Sequence, residues 1–419
     1  VTRSSARSPG APRAGAGGHR EDLEGGTVAI LEESHALPLV AISIVLRSGA
    51  AYDPPGKDGA LRIAGRMLRR GTEGMEARAI EDALDRLGAE VSVDVSASSF
   101  ALHAQVIGRN LDAFVDLLGR LLSKPTFPTD EFERLKRESV AELIEVRDND
   151  QALAQRAFRR ALFADHPYGR SSRGTPKSVE SLTADDVRAA YAKHLSRANA
   201  VIGFAGDVAP GAMKDLAARL MGGLAVGAPI PDPVPPPGAV KGRHLVFVDK
   251  PERTQTQILI GGLGTSPHDP DHVALGVANA VFGGSFTSRM MREVRSKRGW
   301  SYGAYSRLGV DRQRQAFSIW TFPSATDAPP CIGLELGLLE AYVKDGILPR
   351  ELAFIKRFLT RSHAFDIDTA LKRLHQTLDV EVLGLPKDYY SGYLEHVEAV
   401  TLEQANAAAR ERISTEDLY

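Results

Sequence analysis

A single cysteine, Cys331, stands in a chain of 419 residues. An internal disulfide framework is therefore excluded, and cysteine usage leaves the redox compartment undecided. Charge of one sign is also missing: 52 Lys and Arg stand against 53 Asp and Glu, a formal net charge of −1. No global field draws such a chain to nucleic acid or to an anionic lipid surface. Long apolar runs are absent, and stretches such as LPLVAISIVL fall well short of the ~20 residues that span a bilayer. No G-x-G-x-x-G or Walker pattern follows Gly283-Gly284, so that pair is not read as a phosphate cradle. The opening VTRSSARSPGAPRAGAGGH starts on Val and lacks the apolar core of a signal peptide. Its Gly, Ala, Pro, Ser and Arg content predicts a disordered or extended leader over 1–23.

What is present is ordinary globular composition, 43% hydrophobic and 25% charged. The length suits about two to three domains. Residues 226–242, VGAPIPDPVPPPGAVKG, hold six prolines and no periodicity, which predicts an extended, semi-rigid linker. It separates two parts of similar length, 24–225 and 243–419.

These two parts resemble each other. LVAISIVLRSG and TQTQILIGGLG read as apolar strands, each followed by a turn and a helix. Long helices are expected in TDEFERLKRESVAELIEV and PRELAFIKRFLTRSHAF, with PTD and LPR supplying the start signals. Period-two alternation in AEVSVDVSASSFALHAQVI and in WSYGAYSRLGV…QAFSIWTF predicts antiparallel strands with one buried face. The reading is an α+β fold occurring twice: two homologous sandwich domains, each an antiparallel-rich sheet with helices on one side. The first part closes on VRAAYAKHLSRANAVIGFAGDV, helix then strand, whereas the second stops at ANAAARERISTEDLY. The native chain is therefore expected to continue past Tyr419.

GALRIAGRMLRRGT, residues 59–72, has the frame of a metal-binding helix with arginines where ligands belong. Taken alone, Arg62, Arg66 and Arg69 at spacings of four and three form a solvated charged stripe. In the inverted zinc motif H-x-x-E-H, helical spacing places both imidazoles on one face with the Glu beside them as general base. The stretch resembles the segment G-x-x-H-x-x-E-H-x-x-x-x-G-T of the pitrilysin-type (insulinase) zinc metallopeptidases. HPYGR at 166–170 and NAVIGFAGDV are also similar to that family, and the resemblance spans the chain from about residue 24 onward. It implies that Arg62 and Arg66 occupy the two histidine positions and Gly65 the base position. It also implies that the third ligand position, 76 residues beyond Arg66, is Glu142. One ligand of three is kept and the base is gone. A guanidinium has no lone pair to offer a metal, so the site is read as degenerate, with no zinc in this chain.

A second metal candidate, HDPDH, places His268 and His272 four apart. Asp269-Pro270 reads as N-cap followed by the first helical position, which puts His268 ahead of the helix and off its face. A metal role is set aside.

FGGSFTSRMMREVRSKRGWSYGAYS, in the second half, resembles the family segment that follows a Gly-Gly turn. There an Arg and a Tyr seven apart reach into the active site, bind substrate and help stabilise the tetrahedral intermediate. The matching positions are Arg295 and Tyr302; guanidinium and phenol are both donors suited to a developing oxyanion.

The resemblance thus implies the zinc-free subunit of a heteromeric metalloendopeptidase, as in bacterial two-subunit peptidases and the mitochondrial processing peptidase. A homologous partner would supply the zinc site, and peptides would be the substrates. A rival of another class is a scaffold or peptide-binding protein of the same fold with no proteolytic role. An independent zinc enzyme using another site is a third. A neighbouring reading frame of similar length carrying H-x-x-E-H would favour the heteromer. The Ala-, Arg- and Gly-rich composition and the processed-looking start point to a periplasmic protein, with cytoplasm and mitochondrial matrix left open.

Overall fold

The computed structural model describes residues 18–419. The first half builds one sheet of six strands plus a two-residue hairpin, from β1 (His19–Asp22), β2 (Val28–Glu33), β3 (Leu39–Leu46), β4 (Gly71–Thr72), β5 (Met75–Glu76), β6 (Glu90–Val95), β7 (Phe100–Ile107) and β8 (Ala200–Gly206). The large sheet runs β1-β2-β8-β3-β7-β6, and β6 is one of its edges. All neighbours pair antiparallel except β2 with β8. Its helices are α1 (Ala60–Met67), α2 (Ala77–Leu87), α3 (Leu111–Ser123), α4 (Thr129–Glu145), α5 (Asp150–Phe163), α6 (Pro176–Glu180), α7 (Ala184–His194) and α8 (Pro210–Met221). In the second half, β9 (Ile258–Leu263), β10 (Ala304–Leu308) and β11 (Ala316–Thr321) form an antiparallel sheet in the order β10-β11-β9. It packs with α9 (His272–Asn279), α10 (Ala328–Asp345), α11 (Pro349–Ser362), α13 (Tyr393–Ala399) and α14 (Leu402–Arg412), whereas α12 (Ala370–Leu383) leaves it for the first-half sheet.

The repeat is visible as a shared order: strand, short helix, strand hairpin, two longer helices. Alternation in β6 and β7 buries Val91, Val95, Phe100, Leu102, Ala104 and Val106 on one face, against the helices of the first half. The central strands β2 and β8 are buried on both faces instead. Helices α3 and α8 cover one face, through Phe114, Leu118, Met213 and Leu220. The other is covered by α12, contributed by the second half, whose Leu374, Leu378 and Val382 meet Val28, Ile30 and Val201. Side-chain alternation cannot announce a helix arriving from elsewhere in the chain, so sequence alone placed helices on one side only.

The halves are tied by polar contacts as well. Arg312 donates to the Tyr52 hydroxyl at 2.8 Å and to the carbonyls of Arg47 at 2.7 Å and Val382 at 2.6 Å. Arg373 pairs with the buried Glu32 at 3.0 Å. Residues 226–242 form no helix or strand, and Pro235 and Val234 accept from His166 and Gln313 respectively.

Of the leader expected over 1–23, residues 1–17 lie outside the described residues, while His19–Asp22 pairs with β2 as an edge strand. HRED carries no apolar alternation because its ladder is held by backbone groups alone. At the other end, Tyr419 exchanges both backbone hydrogen bonds with Gly261, at 2.9 and 3.0 Å, and Leu418 bridges Arg243. The last two residues thus lie between 242–244 and β9 as β8 lies between β2 and β3.

One buried group makes stability depend on pH. Glu335 of α10 is fully buried; the Cys331 thiol donates to it at 3.4 Å, and its Oε2 has no partner among the described residues. Burial pushes its pKa from 4.5 up to about 7. Below pH 4.5 both folded and unfolded chains hold the proton, and the protonated form is at home in the core. Between pH 4.5 and 7 the unfolded chain ionises this carboxyl while the fold holds it protonated, so stability falls across that interval and levels off above 7. The stability difference between the native chain and Glu335→Gln is expected to shrink or reverse across that window. Urea titrations at a series of pH values check it, and a pH-independent difference would contradict it.

Candidate functional site

Helix α1 is positioned from outside. Asp53 is buried, and its carboxylate accepts from the backbone N–H of Gly59 at 2.9 Å and of Leu61 at 3.1 Å. It satisfies two of the donors that every helix start leaves open. The apolar side of α1 inserts Ala60, Ile63, Ala64 and Met67 among Phe132, Leu135 and Leu143 of α4. That packing fixes α1 against the helix that carries Glu142.

Arg66 and Glu142 meet. The guanidinium donates to both carboxylate oxygens, at 3.1 and 2.8 Å, and to the Ser139 hydroxyl at 3.1 Å. This fork-on-fork geometry is the strong form of the Arg–carboxylate pair. Glu142 remains 44% exposed, however, so solvent screens the pair, and about 1 kcal/mol is the most it contributes. It links α1 to α4.

Arg69 and Arg70, one turn on, are also neutralised. Arg69 pairs with Glu81 at 2.5 Å and donates to the Val91 carbonyl at 2.7 Å. Arg70 reaches Glu131 at 3.3 Å and Glu138 at 2.8 Å. Arg62 is half-buried and, among the described residues, makes no ion pair or hydrogen bond.

Gly65 is closed off by packing. A Cβ at this position would stand 2.4 Å from Phe100 Cε2 and 2.7 Å from Val93 Cγ1, both buried or half-buried neighbours from β7 and β6. No side chain fits there without displacing the core. The donor set therefore does not suit zinc: two guanidiniums, a glycine, and a carboxylate already engaged by Arg66. Among the described residues no three His, Cys, Asp or Glu converge to hold a metal elsewhere.

HDPDH resolves differently in detail from its reading. Helix α9 starts at His272 with Asp271 as N-cap, two residues later than expected, because Asp269 accepts from Ser266 N–H at 2.8 Å and closes a turn first. His272 is buried between the hydroxyls of Thr265, at 2.8 Å, and Tyr389, at 3.0 Å, and burial pushes its pKa down. It is a satisfied core histidine; His268 is exposed.

The second-half segment forms two successive π-helical turns, Ala280–Gly284 and Met291–Ser296. Gly283 is required because a Cβ would meet Ser306 of β10 at 2.5 Å, so the Gly-Gly pair serves close packing. Within the second turn, Arg292, Lys297 and Arg298 all gather on Glu293 at 3.7, 2.8 and 3.1 Å. Arg295 takes no part. Its guanidinium lies between two rings, 4.6 Å from the centroid of Tyr302 and 4.9 Å from that of Phe286. Both rings are unusually open to solvent, 77% and 65% exposed. The following turn is held by Ser301, which donates to the Gly303 carbonyl at 2.6 Å and accepts from Phe322 N–H at 3.0 Å.

Arg62, Gly65 and Arg66 line one concavity, Arg295 and Tyr302 another, so within one chain the two sets do not form a single site. Sequence reading missed Phe286. A bulky aromatic directly after a Gly-Gly-Ser turn was the available signal. The closure of Gly65 by Phe100 had none, since the ring arrives from a strand 35 positions away.

With this geometry in hand, three kinds of comparison agree. The insulinase profile (peptidase family M16) matches residues 28–176, and that of the peptidase M16 inactive domain matches 181–359. The non-peptidase homolog YmxG of Helicobacter pylori is 22% identical over 402 residues, covering 96% of this chain and 92% of the relative. A protein of Mycobacterium bovis described as an uncharacterized zinc protease is 26% identical over 412 residues, covering 97% and 93%. Among solved structures, a peptidase M16 inactive domain from Pseudomonas fluorescens superposes with a TM-score of 0.87 at 24% identity, over 96% of both chains. A protease from Helicobacter pylori gives 0.84 at 16% identity, over 96% and 98%.

Proposed function

Because this chain belongs to the M16 (insulinase) peptidase family and is an inactive member of it, we propose that it serves as the zinc-free subunit of a heteromeric metalloendopeptidase. A homologous partner supplies zinc and the general base. This chain supplies Arg295 and Tyr302 to the peptide held between the two. The carrying observation is the state of Arg295: the neighbouring Arg292, Lys297 and Arg298 all share Glu293, while among the described residues Arg295 pairs with no carboxylate and lies on an open aromatic surface. A scaffold has no use for such a group. Aromatic stacking holds the guanidinium in place without using its donors, and a peptide carbonyl can then accept from them. The Tyr302 hydroxyl adds a second donor.

The test uses both full chains. Alone, this chain is expected to hold no stoichiometric zinc and to cleave no peptide; with a homologous zinc-bearing chain encoded in a neighbouring reading frame it should co-elute and raise the cleavage rate above that chain's own. A complex that forms but leaves the rate unchanged would support a scaffold instead. No co-elution at all would remove the heteromer.

A further inference from the structure

The concavity beside α1 encloses about 1170 Å³ and opens between that helix and the edge strand β6. It is larger than most small-molecule pockets, which occupy about 300–1,000 Å³. Its walls mix the stems and heads of arginines with Met75, Val91 and Val93. That combination suits a length of peptide better than a compact polar metabolite.

Direct ion pairs inside it leave one guanidinium without a partner. Arg66 is matched by Glu142, Arg69 by Glu81, and Arg70 by Glu131 and Glu138, which also hold Arg134. Arg78, Glu76 and Asp130 also line it. Among the described residues the Arg62 side chain has no hydrogen-bond or ion-pair partner. Burial disfavours its charge most, Arg66 and Arg173 add to that, and Glu142 and Asp94 offset part of it. A guanidinium cannot escape by releasing its proton at neutral pH. The remaining relief is an incoming anion, and the fork of donors on Arg62 fits a carboxylate bidentately.

We propose that this cavity, at the degenerate metal position, is a carboxylate-recognition site for peptides, with Arg62 as the residue that reads the carboxylate. One unpaired guanidinium takes one carboxylate, and the Glu142 and Asp94 charges that act on it disfavour a phosphate dianion more than a monoanion. The carboxylate can come from an Asp or Glu side chain or from a peptide C-terminus. The site lies on this chain alone and in a different concavity from Arg295, so it stands or falls independently of any partner subunit.

The experiment measures fluorescence anisotropy of three dye-labelled peptides, equal in length, on the purified full chain. One carries a central Glu and an amidated end. The second has Gln at the centre and a free C-terminal carboxylate, and the third has Gln and an amidated end. The first or the second is expected to bind about tenfold more tightly than the third, since a hydrogen bond to a charged group is of that size. Which of the two wins identifies the source. Arg62→Gln should erase the preference and Arg62→Lys should keep part of it, both with an unchanged urea midpoint. Equal binding of all three peptides, a preference that survives Arg62→Gln, or displacement by inorganic phosphate more readily than by acetate would each overturn the assignment.

Discussion

Placing glutamate at Gly65 is expected to destabilise the chain by about 3–5 kcal/mol and to restore no peptidase activity, even with histidines at positions 62 and 66 in the same variant. The reason is packing before it is chemistry. The first carbon of any side chain at 65 would stand 2.4 Å from the Phe100 ring and 2.7 Å from Val93. Phe100 is 1% exposed and enclosed by the core of the first sheet, so it has no free direction in which to move. A carboxylate forced into the same space would also be desolvated without a partner, which is the larger part of the penalty. Against a total stability of about 5–15 kcal/mol, the loss is a large fraction. Gly65→Ala isolates the steric part. Overpacking of about 1–3 kcal/mol is offset by up to about 1 kcal/mol of improved helix propensity, so a smaller net loss is expected. Urea midpoints of the two variants, with peptide cleavage in added zinc, decide the matter. Native stability together with metal-dependent cleavage in the triple variant would show that the position is not closed.

In a reconstituted heteromer, Arg295→Ala is expected to lower turnover roughly a hundredfold or more while assembly survives. Removing one preorganised donor to a developing oxyanion costs about 2.7–4 kcal/mol, and each 1.36 kcal/mol is about tenfold in rate. Tyr302→Phe separates two roles of the tyrosine. It keeps the ring 4.6 Å from the guanidinium, and so keeps Arg295 in place, but deletes the hydroxyl. A smaller fall than for Arg295→Ala is therefore expected. If the pair acts on the transition state, turnover falls; if it only binds substrate, the Michaelis constant rises with turnover unchanged. Unaltered kinetics in the double variant, with the complex intact by size-exclusion chromatography, would leave this chain as a scaffold.

Much of this protein was legible from spacing alone. The period-two runs became the β6–β7 and β10–β11 hairpins, and the Pro- and Thr-led starts became α4 and α11. The internal repeat gave two similar units. Arginines at 62 and 66 and a glycine at 65 are legible without coordinates as residues that offer a metal no ligand and a reaction no base. Local sequence fixes such matters: periodicity is a property of neighbouring residues, and ligand chemistry is a property of single ones.

Other features were decided only when distant segments met. Phe100 closes Gly65 from a neighbouring strand, and α12 covers the sheet of the opposite half. The division of labour among the arginines is of the same kind. On paper Arg62, Arg66, Arg69 and Arg70 are one basic stripe. In the fold, α4 brings Glu142, Glu131 and Glu138 to two of them, α2 brings Glu81 to a third, and Arg62 is left over. Likewise Glu293 collects three cations and frees Arg295 to stack between Phe286 and Tyr302. Which charges are neutralised depends on which carboxylates the packed helices bring within a few ångströms, and no run of residues along the chain contains that distance.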